Sequence, residues 1–128
     1  MDVKIAFLNE NIEEEVYLEQ PMGFEVHDRA SHVCLLKKAL YGLKQAPRAW
    51  YSRIDSYLQS IGFIKSDVDP NLYLLMKGED ILILVLYVDD LFLTGAETLM
   101  ASCKQDLAKE FEMKDLGLMQ YFLGLEIW

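Results

Sequence analysis

The chain is short of the residue types that mark secreted, disulfide-linked or membrane-spanning proteins. Its only cysteines among 128 residues, Cys34 and Cys103, stand far apart and without a CxxC motif. We expect both to be buried thiols in a reducing compartment rather than a disulfide or a metal site. The most apolar run, residues 81–88, is followed by two aspartates. A membrane-spanning helix needs about 18 or more apolar residues, so this run predicts a buried strand.

The chain also lacks a cationic N-terminal stretch leading into an apolar run, and it lacks a basic excess. The first absence predicts an intracellular protein, cytoplasmic or nuclear, that is not secreted and has no membrane partner. The net charge of -9 opposes nucleic-acid binding, which needs a basic face that displaces counterions. However, one basic run contains no acid, and it is either a solvated face or a phosphate-contacting surface. It consists of Lys37, Lys38, Lys44, Arg48 and Arg53.

Two segments have the spacing of amphipathic helices. The first runs from Pro47 to about Ile61, because proline suits a first helical turn and Gly62 favours an end. The second covers residues 97–113 and stops before Gly117. Apolar residues recur three and four positions apart in both segments: Trp50, Ile54, Tyr57, Leu58 and Ile61 in the first, and Leu99, Cys103, Leu107 and Phe111 in the second.

Apolar runs bounded by turn residues predict strands between and around these helices. A short strand is expected over residues 15–19, and a hairpin over residues 72–76 and 81–88, joined by Lys-Gly-Glu-Asp. The second arm continues through Asp89-Asp90 into another strand, so the aspartates lie at a strand tip. A last strand is expected over residues 121–127. This order predicts an α+β fold, with an antiparallel sheet on one side and two helices on the other.

The tetrapeptide Tyr87-Val88-Asp89-Asp90 is the sharpest chemical feature. Two adjacent carboxylates among apolar residues repel each other and lose solvation, which is costly unless a cation binds. Oxygen ligands that leave room for phosphate oxygens suit Mg²⁺. An ordinary Asp-Asp turn is the alternative. Asp2 is a further carboxylate in a similar setting, and a two-metal site needs acids from separate strands to hold ions about 3.5–4 Å apart.

Five motifs in order resemble the reverse transcriptases of copia-type long-terminal-repeat retrotransposons. Residues 1–9 (MDVKIAFLN) resemble the first motif, residues 40–48 (LYGLKQAPR) the second, and Tyr-Val-Asp-Asp the third. Residues 111–117 (FEMKDLG) and 121–127 (YFLGLEI) are similar to the two that follow. The resemblance implies a partial RNA-directed DNA polymerase domain over residues 1–128. Its polymerase palm-like antiparallel sheet would pack on two helices and be incomplete at both ends, with fingers, thumb and ribonuclease H absent.

The resemblance also implies roles for particular residues. Asp2, Asp89 and Asp90 would be the catalytic residues and ligands of two Mg²⁺ ions, with Mn²⁺ as a substitute, in nucleotidyl transfer onto a primer 3′-hydroxyl. The partners would be an RNA or DNA template with its primer, and deoxynucleoside triphosphates. Nucleotide-binding residues would be Phe7, Tyr41 and Gly42, and primer or template contacts would come from Lys44, Arg48, Leu123 and Gly124.

Several of these roles have structural alternatives. Phe7 is either a steric gate against the 2′-hydroxyl or a core residue, and Lys44 and Arg48 either contact phosphates or begin a surface helix. Lys114 is either a proton donor for pyrophosphate or an ordinary helix-terminal lysine.

The family usually has a small polar residue in place of Ile5 and a glycine in place of Glu10. These departures leave open a decayed, inactive retroelement remnant. A nucleotide cyclase is a further alternative, but such cyclases lack the motif around Gly42. Asp2 is expected to fray because it is the second residue, and the 128 residues alone are expected not to extend a primer.

Overall fold

The computed structural model describes residues 1–9, 11–12, 14–26, 28, 31–122 and 125–126. The chain divides into two compact units. The sheet unit comprises Met1–Ala6 and Ile54–Trp128, and the loop unit comprises Phe7–Arg53. Within the described ranges, no helix has both the length and the apolar character that crossing a membrane requires.

The secondary structure alternates short strands with two helices. The helices are α1 (Ala46–Ser60) and α2 (Glu97–Glu110), and a 3-10 helix spans Ala6–Asn9. The strands, in chain order, are β1 (Asp2–Val3), β2 (Tyr17–Leu18), β3 (Cys34–Leu35), β4 (Ile64–Lys65), β5 (Leu72–Lys77), β6 (Asp80–Tyr87), β7 (Asp90–Gly95), β8 (Met113–Lys114), β9 (Tyr121–Phe122) and β10 (Leu125–Glu126). The predicted α+β class and the helix from Pro47 to about Ile61 are confirmed.

A six-stranded antiparallel sheet frames the sheet unit, in the order β4-β5-β6-β7-β1-β8. The predicted hairpin is present as β5 and β6. The apolar run in β6 predicted a buried strand, but only one of its faces is buried. Leu82, Leu84 and Leu86 are buried, whereas Ile83 and Val85 between them are half-buried. An antiparallel sheet that packs on one face gives this alternation.

The buried face of the sheet carries the core of the sheet unit. Tyr73 of β5 is fully buried, and its hydroxyl donates to the carboxylate of Asp55 in α1 at 2.7 Å. Tyr57 of α1 donates to the Asp106 carbonyl of α2 at 2.9 Å. Both helices are thus joined to the same core. Its apolar members are Val3, Ala6, Ile54, Leu58, Phe63, Tyr73, Leu75, Leu82, Leu84, Leu86, Leu91, Leu99, Cys103, Leu107 and Phe111.

Helix α2 ends earlier than its apolar spacing predicted. The expected helix over residues 97–113 stops at Glu110, and Phe111 is extended at φ -125° and ψ 146°. Met113 then pairs with Val3, and Lys114 pairs with Asp2. The last turn of the predicted helix is therefore wrong, because the backbone groups of β1 find their second partner in β8.

Two small ribbons complete the described structure. In the loop unit, β2 pairs with β3 and both strands are exposed. Cys34 lies there and is exposed, so its predicted burial is wrong. Cys103 is buried as predicted, and burial, with a lesser contribution from the Asp106 charge, raises the pKa of its thiol to about 11.

In the sheet unit, β9 pairs antiparallel with β10. The expected single strand over residues 121–127 is therefore two short strands that satisfy each other's backbone groups.

Candidate catalytic site

Strand β1 is held by hydrogen bonds on both sides. The Met1 amine donates to the Leu91 carbonyl at 2.7 Å, and Leu91 N–H donates to the Met1 carbonyl at 2.8 Å. Val3 N–H donates to the Asp89 carbonyl at 2.8 Å, which ties β1 to the turn before β7. The expectation that Asp2 frays is wrong, because the hydrogen bonds on either side of it fix the strand.

This pairing places Asp2 directly opposite Asp90. The neighbouring pair, Met1 and Leu91, exchanges both backbone hydrogen bonds. Asp2 and Asp90 are therefore the closer, non-hydrogen-bonded type of pair, with Cα atoms about 4.5 Å apart. Directly paired residues project from the same face of a sheet, where like charges are destabilising. The two carboxylates thus share one face and repel each other.

Asp89 lies in the two-residue turn between β6 and β7, which the pair Tyr87 and Asp90 closes. The other turn residue, Val88, has a φ of +54°. A positive φ is strained for a β-branched side chain and costs on the order of 1–3 kcal/mol. Short hairpin turns require such backbone angles, so Val88 adopts the strained conformation that closes the turn containing Asp89.

Partial burial is the main reason that the pKa of Asp90 is raised, and the charges of Asp89 and Asp2 raise it further. The Met1 ammonium acts in the opposite direction. Such an environment favours either a proton or a cation on the carboxylate. Carboxylates from two adjacent strands and their turn are also the hard oxygen donors that suit Mg²⁺. The donor set therefore fits a divalent ion.

The side chains are not gathered around one metal position. Among the described residues, no three aspartate, glutamate, histidine or cysteine side chains lie close enough together to hold an ion. The backbone thus brings Asp2, Asp89 and Asp90 to one edge of the sheet, but their three carboxylates do not surround a single ion position.

For Lys114, near this edge, local sequence patterns predicted the wrong secondary structure. It lies in β8, directly opposite Asp2 on the side away from Asp90, so it is not a helix-terminal lysine. Cross-strand pairing puts its side chain on the same face as Asp2. The local signal continued the helical spacing past Phe111, and no short-range pattern reveals a strand pairing across more than a hundred residues.

Ile5 shows the physical effect of one departure from the family pattern. It follows β1 with a φ of +47° and is 52% exposed. A small polar residue such as asparagine tolerates this backbone region far better than a β-branched one. The turn after Asp2 is therefore strained by the residue that occupies it.

The predicted nucleotide-binding residues lie in the loop unit. The rings of Phe7 and Tyr41 are 4.4 Å apart between centroids and tilted by 52°. Phe7 is 7% exposed and Tyr41 is 56% exposed, so Tyr41 presents the accessible surface of this pair. Gly42 has a φ of +93°, and a Cβ built on it would meet nothing within 4 Å. Backbone conformation rather than internal crowding requires glycine there.

The structure describes two of the four residues that were predicted to contact primer or template. Lys44 and Arg48 are exposed in the loop unit, where α1 begins. Leu123 and Gly124 lie outside the described residues, as does Glu10.

Comparisons with known proteins cover the whole chain. The model of a family described as "Reverse transcriptase (RNA-dependent DNA polymerase)" matches residues 1–128. A retrovirus-related Pol polyprotein from transposon TNT 1-94 of Nicotiana tabacum is 50% identical over 129 residues, covering 99% of the chain but 10% of that polyprotein. The corresponding polyprotein from transposon RE1 of Arabidopsis thaliana is 46% identical, covering 98% of the chain and 9% of the relative.

A putative transposon Ty5-1 protein of Saccharomyces cerevisiae is 38% identical, covering 99% of the chain and 42% of its own length. No solved structure matches.

Proposed function

Because the chain belongs to the reverse transcriptase (RNA-dependent DNA polymerase) family, we propose that β1, β7 and their turn form a palm active site. Asp2, Asp89 and Asp90 would hold two Mg²⁺ ions, or Mn²⁺ in their place. The observation that carries the proposal is the register of Asp2 against Asp90, one residue from Asp89. Bound metals would supply electrostatic stabilisation of the charge that develops during nucleotidyl transfer onto a primer 3′-hydroxyl.

The residues of this edge supply position and charge. The backbone hydrogen bonds of Met1, Val3 and Leu91 fix the spacing of the two strands, and fixed geometry matters because a misplacement of about 1 Å can cost a hundredfold in rate. Lys114, on the same face as Asp2, would place its ammonium group near the pyrophosphate that nucleotidyl transfer releases. It would act there as a proton donor or an electrostatic partner.

The loop unit would bind the nucleotide and the nucleic acid. Tyr41 would meet the sugar or base of a deoxynucleoside triphosphate, with Phe7 beneath it as the steric gate. Gly42 would let the backbone come close to the nucleotide, since it has no Cβ and no atom lies within 4 Å of the position that a Cβ would take. Lys44 and Arg48 would contact phosphates of an RNA or DNA template and its primer. Leu123 and Gly124 would form the primer grip.

The second candidate is an inactive retroelement remnant. The strained Ile5, three residues after Asp2, favours it, because strain close to a metal ligand can shift a geometry that catalysis needs fixed. The chain covers about a tenth of the plant polyproteins that it matches. We propose that these 128 residues do not extend a primer on their own, because a net charge of -9 retains little primer-template at physiological salt.

A metal-binding measurement tests the site without requiring activity. Mn²⁺ added to the isotope-labelled chain should broaden the amide resonances of Asp2, Asp89 and Asp90 first. The Asp89→Asn variant should lose this effect. Asp80→Asn, at the exposed far end of β6, is the matched control and should keep it. Equal broadening in all three proteins would refute the assignment.

Phe7→Ala tests the steric gate in a longer polymerase that carries this domain. The variant should incorporate ribonucleotides more readily relative to deoxynucleotides, and Phe24→Ala, at an exposed loop-unit position, serves as the control. Unchanged discrimination would return Phe7 to a packing role. The Asp89→Asn variant separates the two candidate functions. A working polymerase should lose primer extension in this variant, whereas an inactive remnant has no primer extension to lose.

A further inference from the structure

A short loop joins β4 to β5 beside the end of β6 that leads into the aspartate turn. It covers residues 66–71 and lies within the sheet unit. Its last residue, Asn71, stands one step past the final pair of the β5–β6 register. The N–H of Leu86 in β6 donates to the Asn71 carbonyl at 2.9 Å. The loop therefore extends the pairing of β6 beyond the end of β5.

This hydrogen bond holds β6 close to the turn. N–H groups of alternate residues in an antiparallel strand point to opposite sides, and Tyr87 pairs with Asp90 on the β7 side. The N–H of Leu86 is therefore the last one in β6 that faces β5. Asp89 follows three residues later. The Asn71 carbonyl thus anchors β6 immediately before the proposed metal ligands.

Asp69 fixes Asn71 from both sides. Its carboxylate Oδ1 accepts the Asn71 N–H at 2.9 Å, and its backbone carbonyl accepts the Leu72 N–H at 3.1 Å. These bonds hold the two peptide groups that flank Asn71, including the one whose carbonyl bonds to β6. The Ser66 hydroxyl oxygen accepts the N–H groups of Val68 and Asp69 at 3.2 and 3.3 Å. Side-chain acceptors of this kind fix the backbone of a turn.

The turn that follows β6 needs support because it is strained. Val88 has a φ of +54°, and strained backbone persists only where the surrounding structure holds it. Pairing with β7 holds the turn on one side. On the other side, the last hydrogen bond of β6 goes to Asn71. Loosening of β6 at Leu86 would let the turn relax and move Asp89 away from its place beside β1.

We propose that Asp69 is a positioning residue for the metal ligands, which acts through Asn71 and the end of β6. The inference rests on the proposed function, because it concerns the same carboxylates. Asp69 is exposed, so its truncation leaves no cavity in the core and acts through the lost hydrogen bond. That loss favours local opening at Leu86 with little change in global stability. Cation binding at Asp89 and Asp90 is weakened as a result.

Mn²⁺ titration of the isotope-labelled chain, followed at the amide resonances of Asp89 and Asp90, tests the proposal. Asp69→Ala should weaken Mn²⁺ binding about threefold and speed hydrogen exchange of the Leu86 amide about fivefold. Asp69→Asn keeps an acceptor oxygen and loses only the charge, so both measurements should stay within about twofold of the parent chain. Ser66→Ala loosens the same loop and should act in the direction of Asp69→Ala.

Gly78→Ala separates positioning from general destabilisation. Gly78 has a positive φ at the other end of the β5–β6 hairpin, so alanine there destabilises the hairpin but should leave Mn²⁺ binding unchanged. The inference is overturned if Asp69→Ala loses no more affinity than Gly78→Ala. It is also overturned if Asp69→Asn loses as much as Asp69→Ala, which would assign the effect to charge. Broadening that is the same in the parent chain and in Asp89→Asn would instead refute the proposed function, and this inference with it.

Discussion

In the sheet unit, strands of six and eight residues bury one face of each strand, whereas the paired strands of the loop unit have two residues each and are exposed. The sheet unit has a continuous apolar core. In the described part of the loop unit, the buried apolar residues are Phe7, Ala39, Ala46 and Trp50. Large apolar side chains such as Met22 and Phe24 are 93% and 81% exposed there.

This difference matches the division of the candidate site. The aspartates occupy strands and a turn of the packed unit, where hydrogen bonds on both sides fix their spacing. Tyr41, Gly42, Lys44 and Arg48 lie in the less packed unit. Metal ligands must be held within a narrow geometry, whereas segments that bind and release ligands are drawn from regions of lower local stability. We infer that the sheet unit provides the stability that keeps strained, mutually repelling residues in place.

The largest effect is expected at the end of β7. Gly95 has a φ of +140°, and a Cβ there would overlap the Ile81 carbonyl oxygen and lie 2.9 Å from the Leu82 Cα. Both contacts are backbone and cannot move without separating β6 from β7. Gly95→Ala should therefore lower the free energy of unfolding by about 4 kcal/mol, as measured by urea denaturation.

Gly78→Ala is the matched control for this change. Gly78 also has a positive φ, +63°, but no atom lies within 4 Å of the position that a Cβ would take there. Only backbone strain remains, at about 1 kcal/mol. Similar losses in the two variants would show that β6 and β7 are not tightly joined at Gly95.

Truncation of one leucine in each unit compares the two cores directly. Leu84 in β6 is fully buried, and Leu18 in β2 is 40% exposed. Leu84→Ala should cost about 3 kcal/mol through lost burial and a cavity, whereas Leu18→Ala should change the free energy of unfolding by less than about 0.5 kcal/mol. A large loss in Leu18→Ala would reveal a core in the loop unit that side-chain exposure does not indicate.

Local patterns predicted the elements whose stability is local. The β5–β6 hairpin, its turn around Gly78 and the helix from Pro47 follow from runs, turn residues and spacing over a few positions. The aspartate pair at a strand tip followed in the same way. Its partner Asp2 was identified by motif resemblance, and its placement opposite Asp90 depends on a pairing that links the two ends of the sequence.

The errors at the second helix, Asp2 and Lys114 share a physical origin in long-range pairing. Spacing through Phe111 continued the second helix, because periodicity cannot report that β1 needs another partner in β8. Because local patterns do not report this pairing, they also predicted that Asp2 frays and that Lys114 ends a helix. For Cys34, composition favoured burial, but the short β2–β3 ribbon exposes both of its strands.

A smaller effect of opposite sign is expected at the turn before Asp89. Val88 holds a φ of +54° and is 50% exposed. Val88→Gly removes the strain but adds chain entropy to the unfolded state, so a net gain of about 0.5–1 kcal/mol is expected. Val68→Gly, at a 95% exposed position without a positive φ, should give no gain. A loss in Val88→Gly would mean that the valine side chain stabilises the turn.

The smallest effect is a pH-dependent one at Asp90. Burial, then the charges of Asp89 and Asp2, raise its pKa above the ordinary value of 3.8. Between 3.8 and the raised folded value, the folded chain binds more protons than the unfolded chain, so the contribution of Asp90 to stability falls as pH rises. At neutral pH the ionised carboxylate is destabilising. Asp90→Asn should therefore be more stable than the parent chain at about pH 7.

Because the site is partly exposed, this gain should stay under about 1 kcal/mol. The gain should shrink as pH falls and disappear below about pH 3.8, where the parent carboxyl is protonated in both states. Urea midpoints measured between about pH 3 and pH 8 would follow it, with Asp80→Asn as the control for removing one negative charge from the same hairpin. A difference that stayed constant across this range would place its cause in packing rather than in repulsion at the site. The sheet unit would then hold Asp90 without electrostatic cost, and the need for a cation at this edge would lose its physical basis.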